Sequence, residues 1–426
     1  MRSFSNLLLS IFLLLLAAGM DASAQTALTI DRALTIAREN NPRFGIADKG
    51  LAGAESARRE LIRQRLPRVG FHGNATYAPT FPSFGYDPAI TSGGQISAQV
   101  MIEHLLYDGG QRDLRLHQSG IDIDLIGRER LLMEHDLRLN VELAFNDAMH
   151  ARDEIALREI NVRQLADYLR LVEAMYAGSL VGFTDVLKTR VRLSDARLAL
   201  DDAQGAADTA RFALAELIGL PFDTAIAVAG RLDSLPQMGA FDPATNPDLA
   251  AFDLAVNRSL IDVELARREN SPVVSLLGDA GALTSVENIT LPRSDRSSVV
   301  GVSAGVTVDI PILNWGITDL HVEQRQIGVD TLRLQAEILR RSLQRQNAEL
   351  RSRLARGRDR LTLIRATIAD AEKNFLLTKS KYAGGGGSAL EVLDAQQLLS
   401  DNRVAELQTL ADIQALAAKL ERLITP

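Results

Sequence analysis

Hydrophobic and polar positions follow two different periods along this chain, and the change from one to the other happens twice. From Ile96 to Ile102 the apolar residues Ile96, Ala98, Val100 and Ile102 take every second place. Gln95, Ser97, Gln99 and Glu103 stand between them, with Met101 the exception. From Val300 to Ile310 the series Val300, Val302, Ala304, Val306, Val308 and Ile310 alternates with Gly301, Ser303, Gly305, Thr307 and Asp309. Successive side chains of a strand point to opposite faces, so each segment predicts a strand with one apolar and one small or polar face. The segments before them are the expected partner strands, Val69 to Tyr77 and Val273 to Ala282, joined through loops rich in Pro, Gly, Ser and Asn. Phe71, Ala75 and Tyr77 alternate with His72, Asn74 and Thr76 in the first, whereas Val273 to Ala282 alternates poorly. The strand pairs so predicted cover about 68–106 and 272–312.

Elsewhere the spacing is helical. No proline and little glycine interrupts Gly110 to Tyr176 or Gly316 to Tyr382, and about 66 residues at 1.5 Å each give roughly 100 Å of helix. That is far longer than a globular helix. In the second stretch Leu350, Leu354, Leu361, Ile364, Ile368, Ala371 and Phe375 keep a three-four spacing, broken only at Gly357, as a coiled-coil seam does. In the first, Leu125, Leu132 and Leu139 fall seven apart. After glycine-bearing turns at Gly178 to Gly182 and Gly384 to Gly387, helical patterning resumes over Thr184 to Ile218 and Ser388 to Ile424. A shorter helix opens each half. The first is capped by Thr29 with Asp31 in its first turn and runs to Leu66 before Pro67, and the second runs from Asn246 to Asn270 before Pro272.

The two series belong to an internal duplication. "NNPRF" from Asn40 recurs as "TNPDL" from Thr245, "LYDGGQRD" from Leu106 as "LNWGITD" from Leu313, and "YAGSLVGFTDVLKTR" from Tyr176 as "YAGGGGSALEVLDAQ" from Tyr382. The shifts are 205, 206 and 206 residues. Three anchors in one order at one offset define a tandem repeat, with a first copy over 25–240 and a second over 241–426.

The first 24 residues change the picture. One Arg precedes an apolar run from Leu7 to Ala18, and Ala22-Ser23-Ala24 suits a signal peptidase, so the pattern predicts a cleaved leader over 1–24 and export. The chain has no cysteine and a net charge of −7 with both signs interspersed, so neither disulfides, thiolate metal sites nor a nucleic-acid face is expected. No later run is long and apolar enough for a membrane helix, which leaves a periplasmic protein or a β-barrel. Alternating strands also fit a soluble sandwich, and the long helices alone fit a coiled-coil scaffold. Four strands cannot close a barrel, so the membrane alternative requires several copies of the chain. No catalytic or cofactor constellation emerges: the six His lack H-x-x-x-H spacing, and the glycines at 384–387 lack the Lys-Ser/Thr of a phosphate loop. Trp315, at a strand-to-helix junction, reads either as an anchor at a membrane interface or as an ordinary packing residue.

From "ALTIARENNPRF" through both strand-to-helix motifs to "KYAGGGGSALEVLDAQQLL", the chain resembles the TolC family of outer-membrane efflux and secretion channels. The resemblance implies a mainly helical fold with a small β part. It implies a homotrimer whose protomers each give four strands to one twelve-stranded outer-membrane barrel, continuous with a periplasmic α-helical barrel. It also implies a passive exit duct in outer-membrane lipid, opened by a periplasmic adaptor (membrane fusion) protein and an inner-membrane transporter. By position, Glu391 and Asp394 match the acids that ring the family's periplasmic constriction, and residues three apart do share a helix face. Asp185 holds the corresponding place in the first copy, and Tyr382 matches the tyrosine that latches the tip to such an acid. Gly384 to Gly387 replace a basic residue found in that turn in some members, which predicts a latch that is either weaker or made differently. The rival function is a periplasmic structural or adhesive coiled-coil protein with a small β-domain; an exported hydrolase would need a nucleophile and base that the sequence does not display. The wall residues are too generic to select a cargo.

Overall fold

The computed structural model describes residues 27–78, 93–232, 239–286 and 296–425. The expected leader and the loops after the first and third strands lie outside these residues. In chain order come α1 (Ile30–Asn40), α2 (Pro42–Arg63), β1 (Arg68–Ala78), β2 (Gly93–Tyr107), α3 (Gln111–Ala177) and α4 (Phe183–Ile218). Then follow α5 (Pro247–Arg267), β3 (Val273–Val286), β4 (Arg296–Asp309), α6 (Ile317–Ala383) and α7 (Ala389–Ile424). α3 and α6 have 67 residues each, and α4 and α7 have 36 each, so the second half repeats the lengths of the first.

The single helix expected from Thr29 to Leu66 is two helices. Thr29 does cap the first, its Oγ1 accepting from the Arg32 N–H at 3.4 Å, but Asn41 turns extended (φ −74°, ψ 120°) and Pro42 begins a new helix. Proline has no N–H to continue the ladder and disfavours helix in the residue before it, so the break falls where the Asn-Pro motif sits.

The described residues form two compact units, each drawing on both halves of the sequence. One, built from Ile46–Leu132 and Pro247–Arg341, holds the sheet. Its strands run antiparallel in the order β1-β2-β3-β4. The register sorts the side chains by face: Phe71, Val100, Ala280 and Val302 form one cross-strand row, and Val69, Ile102, Gly278 and Ala304 another. The rows between them hold His72, Gln99, Gly281 and Gly301, and Gly70, Met101, Asp279 and Ser303, where the Ser303 hydroxyl donates to the Asp279 carboxylate. On the apolar face Phe71 is 72% exposed and Val302 84%. The poorly patterned Val273 to Ala282 is a regular strand throughout, because both neighbours pair with it. β1 and β4 each pair on one side only. In the same unit α2, α3 and α5 are cross-linked by Arg130–Asp48 (2.8 Å), Arg258–Asp122 (2.5 Å) and Gln118–Asp262 (2.7 Å).

A repeated turn launches each long helix from its strand. The Asp108 carboxylate accepts from the N–H groups of Gly110 (3.1 Å) and Arg112 (2.9 Å), and Asn314 Oδ1 accepts from Gly316 (3.2 Å). Each turn places two residues at positive φ, Gly109 and Gly110 in the first copy and Trp315 (56°) and Gly316 (78°) in the second. A Cβ at Gly109 would lie 2.2 Å from Ser271 Cβ, so only glycine fits there. At Trp315 the side chain is instead 84% exposed, beside exposed Ile312 and Leu313, and its left-handed backbone is not offset by burial in this chain.

The other unit, with Met133–Asn246 and Ser342–Pro426 at its centre, is helical. Asn41 Nδ2 donates to the Leu217 carbonyl at the end of α4 (2.9 Å), and Asn246 Nδ2 donates to the Leu423 carbonyl at the end of α7 (3.2 Å). The repeated Asn-Pro thus joins two helices: its Asn satisfies a last-turn carbonyl that has no helical partner, and its Pro starts the next helix. Along α6, Leu354, Leu361 and Ala371 of the predicted seam are buried. Gly357, the apparent break, is a close contact, since a Cβ there would meet Ile413 Cγ1 at 3.0 Å. In α3 the buried line runs through Leu137, Val141 and Phe145, while Leu132 and Leu139 of the expected heptad are only half-buried. Desolvation holds the half-buried Glu142 above the usual carboxylate range, against the pull of Arg138 at 2.8 Å.

Candidate functional site

The candidate site lies where α3 turns into α4 and α6 turns into α7. Both long helices end in the same hydrogen-bonded motif. Leu180 N–H bonds to the Met175 carbonyl (2.9 Å) and Ser179 N–H to Tyr176 (2.8 Å). In α6, Gly386 N–H bonds to Lys381 (3.0 Å) and Gly385 N–H to Tyr382 (2.9 Å). The motif needs one left-handed residue, Ser179 at φ 59° in the first copy and Gly385 at 81° in the second. Ser388 then caps α7, its Oγ accepting from the Glu391 N–H at 3.2 Å, whereas Gly182 at the start of α4 offers no side chain.

The two turns close over one apolar cluster. Leu165, Tyr168, Val172 and Met175 of α3, Val186, Leu193 and Ala196 of α4, Tyr382 of α6, and Ala389, Val392 and Leu393 of α7 are all buried in it. A polar network lies within the same set of helices: Gln396 donates to Asn161, which donates to Ser400 Oγ at 3.3 Å. Tyr382 is 2% exposed and packs its ring on Tyr168, with centroids 5.6 Å apart and planes tilted by 57°. The Tyr168 hydroxyl reaches the Ala389 carbonyl at 3.5 Å, but the Tyr382 hydroxyl is sealed without a hydrogen-bond partner of good geometry among the described residues. Burial pushes both phenols upward, and the negative charge of Asp185 adds to each.

The sequence-derived residues therefore divide into two groups. Tyr382 lies in the buried cluster, and Asp185 is half-buried on the first turn of α4, where its charge acts on the phenol without a bond from the Tyr382 hydroxyl. Glu391 and Asp394 stand exposed on the first turn and a half of α7. Two participants carried no signal in the sequence: Tyr168, which covers Tyr382, and Lys381, whose Nζ lies 3.5 Å from Glu391 Oε2. Among the described residues no group of three or more His, Cys, Asp or Glu could hold a metal ion, and no helix is long and apolar enough to cross a membrane.

The sequence profile of the outer membrane efflux protein family matches residues 33–220 and again 244–425. The chain belongs to the outer membrane efflux protein family. This efflux protein is 26% identical over 333 residues to the cobalt-zinc-cadmium resistance protein CzcC of Cupriavidus metallidurans, covering 74% of each chain. Its fold is that of the CusC channel, with a TM-score of 0.78 at 17% identity over 94% of this chain and 92% of that one. It is also that of VceC from Vibrio cholerae, with a TM-score of 0.73 at 14% identity over 93% and 95%. Family and neighbours are channels rather than enzymes. The efflux protein is an outer-membrane exit channel that extends into the periplasm.

Proposed function

We propose that three copies of this chain close one twelve-stranded barrel and one periplasmic helical barrel, forming the passive exit duct of a tripartite pump. The observation that carries this is the open sheet, whose β1 and β4 edges are unpaired among the described residues and whose one face is apolar. In hydrocarbon an unpaired edge leaves each free N–H and C=O unsatisfied at a cost of several kcal/mol, so a four-stranded sheet needs closure from other copies. Four strands are half the roughly eight of the smallest barrels. Joining β4 of one copy to β1 of the next makes the apolar rows continuous around the lipid side and faces Gln99, Asp279 and Ser303 to water.

The helical turns then form the periplasmic tip, with Asp185 and Tyr382 in its packing and Glu391 and Asp394 around its opening. A periplasmic adaptor and an inner-membrane transporter dock there and bias a two-state movement of the α6–α7 pair. Energy for transport comes from the inner membrane. Divalent metal cations are the first cargo to test: the relative from Cupriavidus metallidurans is named for cobalt, zinc and cadmium resistance, and a carboxylate ring concentrates cations.

The mass of the detergent-solubilised protein, measured by light scattering with the detergent subtracted, tests the assembly. Three protomers per particle are expected, and a monomer that stays dissolved without detergent overturns the proposal. For the cargo, cells deprived of the chain should lose tolerance to cobalt, zinc and cadmium salts; unchanged tolerance removes the metal assignment and leaves the duct.

A further inference from the structure

Lys381, the last but two residue of α6, sits across the glycine turn from the first turn of α7. Its ammonium lies 3.5 Å from Glu391, and both side chains are about half-exposed. Three features build this approach. Gly385 takes the left-handed conformation that reverses the chain (φ 81°). A Cβ at Gly386 or Gly387 would lie in ordinary contact with Lys381 Cγ, at 3.7 and 3.5 Å, and the latter also 3.5 Å from Glu391 Oε2, so both glycines line the path between the two charges. The Ser388 cap fixes the N–H of Glu391 and with it the direction from which the carboxylate projects.

The first copy provides an internal comparison. Met175, 9% exposed, stands where Lys381 does, Asp185 stands where Glu391 does, and Lys188 stands where Asp394 does. The lysine that faces an acid across the turn is therefore a property of the second copy alone. Asp394 is exposed, and among the described residues no ion pair joins it, whereas Glu391 has Lys381.

We infer that Lys381 is a specificity-determining residue of the channel tip: it neutralises Glu391 from across the turn, so that Asp394 carries the uncompensated charge of the opening. The inference rests on the proposed position of this turn at the tip. In a trimer the six carboxylates of Glu391 and Asp394 are answered by three ammonium groups, and the ring acts on a passing ion as three negative charges. A compensated pair is a dipole, whose field fades faster with distance than that of a lone charge.

The test uses the full-length channel in planar bilayers, reading the cation-to-anion permeability ratio from the reversal potential in a potassium chloride gradient. Lys381→Met should raise that ratio about threefold, since it doubles the uncompensated ring charge, and Lys381→Arg should leave it at the parent value. Exposed ion pairs contribute little to stability, so both variants should keep the parent's particle mass and circular dichroism. Glu391→Gln with Asp394→Asn should lower the ratio. If that double variant lowers it while Lys381→Met leaves it unchanged, the compensating role is overturned and the tip assignment stands. If the double variant also leaves it unchanged, the tip assignment itself fails and the inference falls with it.

Discussion

Replacing Tyr382 by Phe removes a single oxygen from the centre of the turn cluster and leaves the ring in place. That oxygen is buried, and no donor or acceptor meets it in good geometry among the described residues. A buried hydroxyl without a partner carries a desolvation penalty of about 1–3 kcal/mol. The nearby Tyr168 hydroxyl partly offsets it, so the gain expected for Tyr382→Phe lies at the lower end, about 1 kcal/mol. One kcal/mol corresponds to about a fivefold change in a local opening equilibrium. Hydrogen exchange followed by mass spectrometry suits a membrane channel whose global unfolding is irreversible. Peptides spanning residues 375–395 should exchange about fivefold more slowly in the variant, with peptides from β2 and β3 as an unchanged reference. Tyr382→Ala, which also removes the ring, should accelerate exchange there strongly, at a cost of about 3–5 kcal/mol. Faster exchange in Tyr382→Phe would refute the reasoning, because it would mean that the hydroxyl is bonded, as a latch to Asp185 requires.

Four further outcomes follow from the geometry. Val302→Arg places a guanidinium on the apolar face and should cost about 2–4 kcal/mol near a bilayer midplane, seen as loss of assembled channel from outer-membrane fractions, whereas Ser303→Arg on the other face should assemble and lower conductance. Gly109→Ala should abolish assembly, because its Cβ would meet Ser271 at 2.2 Å in a left-handed turn, while Gly316→Ala, with open space around it, should cost only the backbone term of about 1–2 kcal/mol, measured by thermal melting. Asn246→Ala leaves the buried Leu423 carbonyl without its side-chain donor and should destabilise the helical unit by about 1–3 kcal/mol in the same assay. Because burial raises the folded value for Glu142, the folded state binds the proton more tightly than the unfolded one. Its contribution is thus fully present below the unfolded value and is lost as pH rises through the folded one. Melting temperatures across the range just above that of ordinary carboxylates should fall less steeply in Glu142→Gln, and an unchanged slope would dismiss the assignment.

How much of this was legible before the fold depended on how local each feature is. β2 and β4 stand out because the residues of their apolar face are large enough to contrast with Gln, Ser and Gly. β3 stands out less, since its apolar face mixes Val274 and Leu276 with the small Gly278, Ala280 and Ala282 while Leu277 lies on the other face, and its register is held by the strands on either side. The Asn-Pro motif was visible as a repeat, yet its work was hidden, because the carbonyl that Asn41 satisfies is 176 residues away. The helix expected from Thr29 to Leu66 breaks at Pro42, because proline lacks the N–H that would continue the ladder and disfavours helix at Asn41. The heptad at Leu125, Leu132 and Leu139 misled for another reason: α3 buries a line through Leu137 and Val141 instead, which a strict seven-residue count steps over. At the turns, the acids and Tyr382 stood out through family resemblance, whereas a lysine one place before a tyrosine has no signature until the glycines bring it to Glu391.

The two bare strand edges also say something about the life of the molecule before it is a channel. On the proposed trimer, a protomer that has yet to assemble carries two templates for pairing with any extended peptide it meets, and a greasy face that water does not tolerate. On that proposal its solitary existence is brief or chaperoned, and the same edges that make it hazardous alone recruit its siblings. The yield of working ducts would then depend on how soon protomers meet as well as on the residues along the pore.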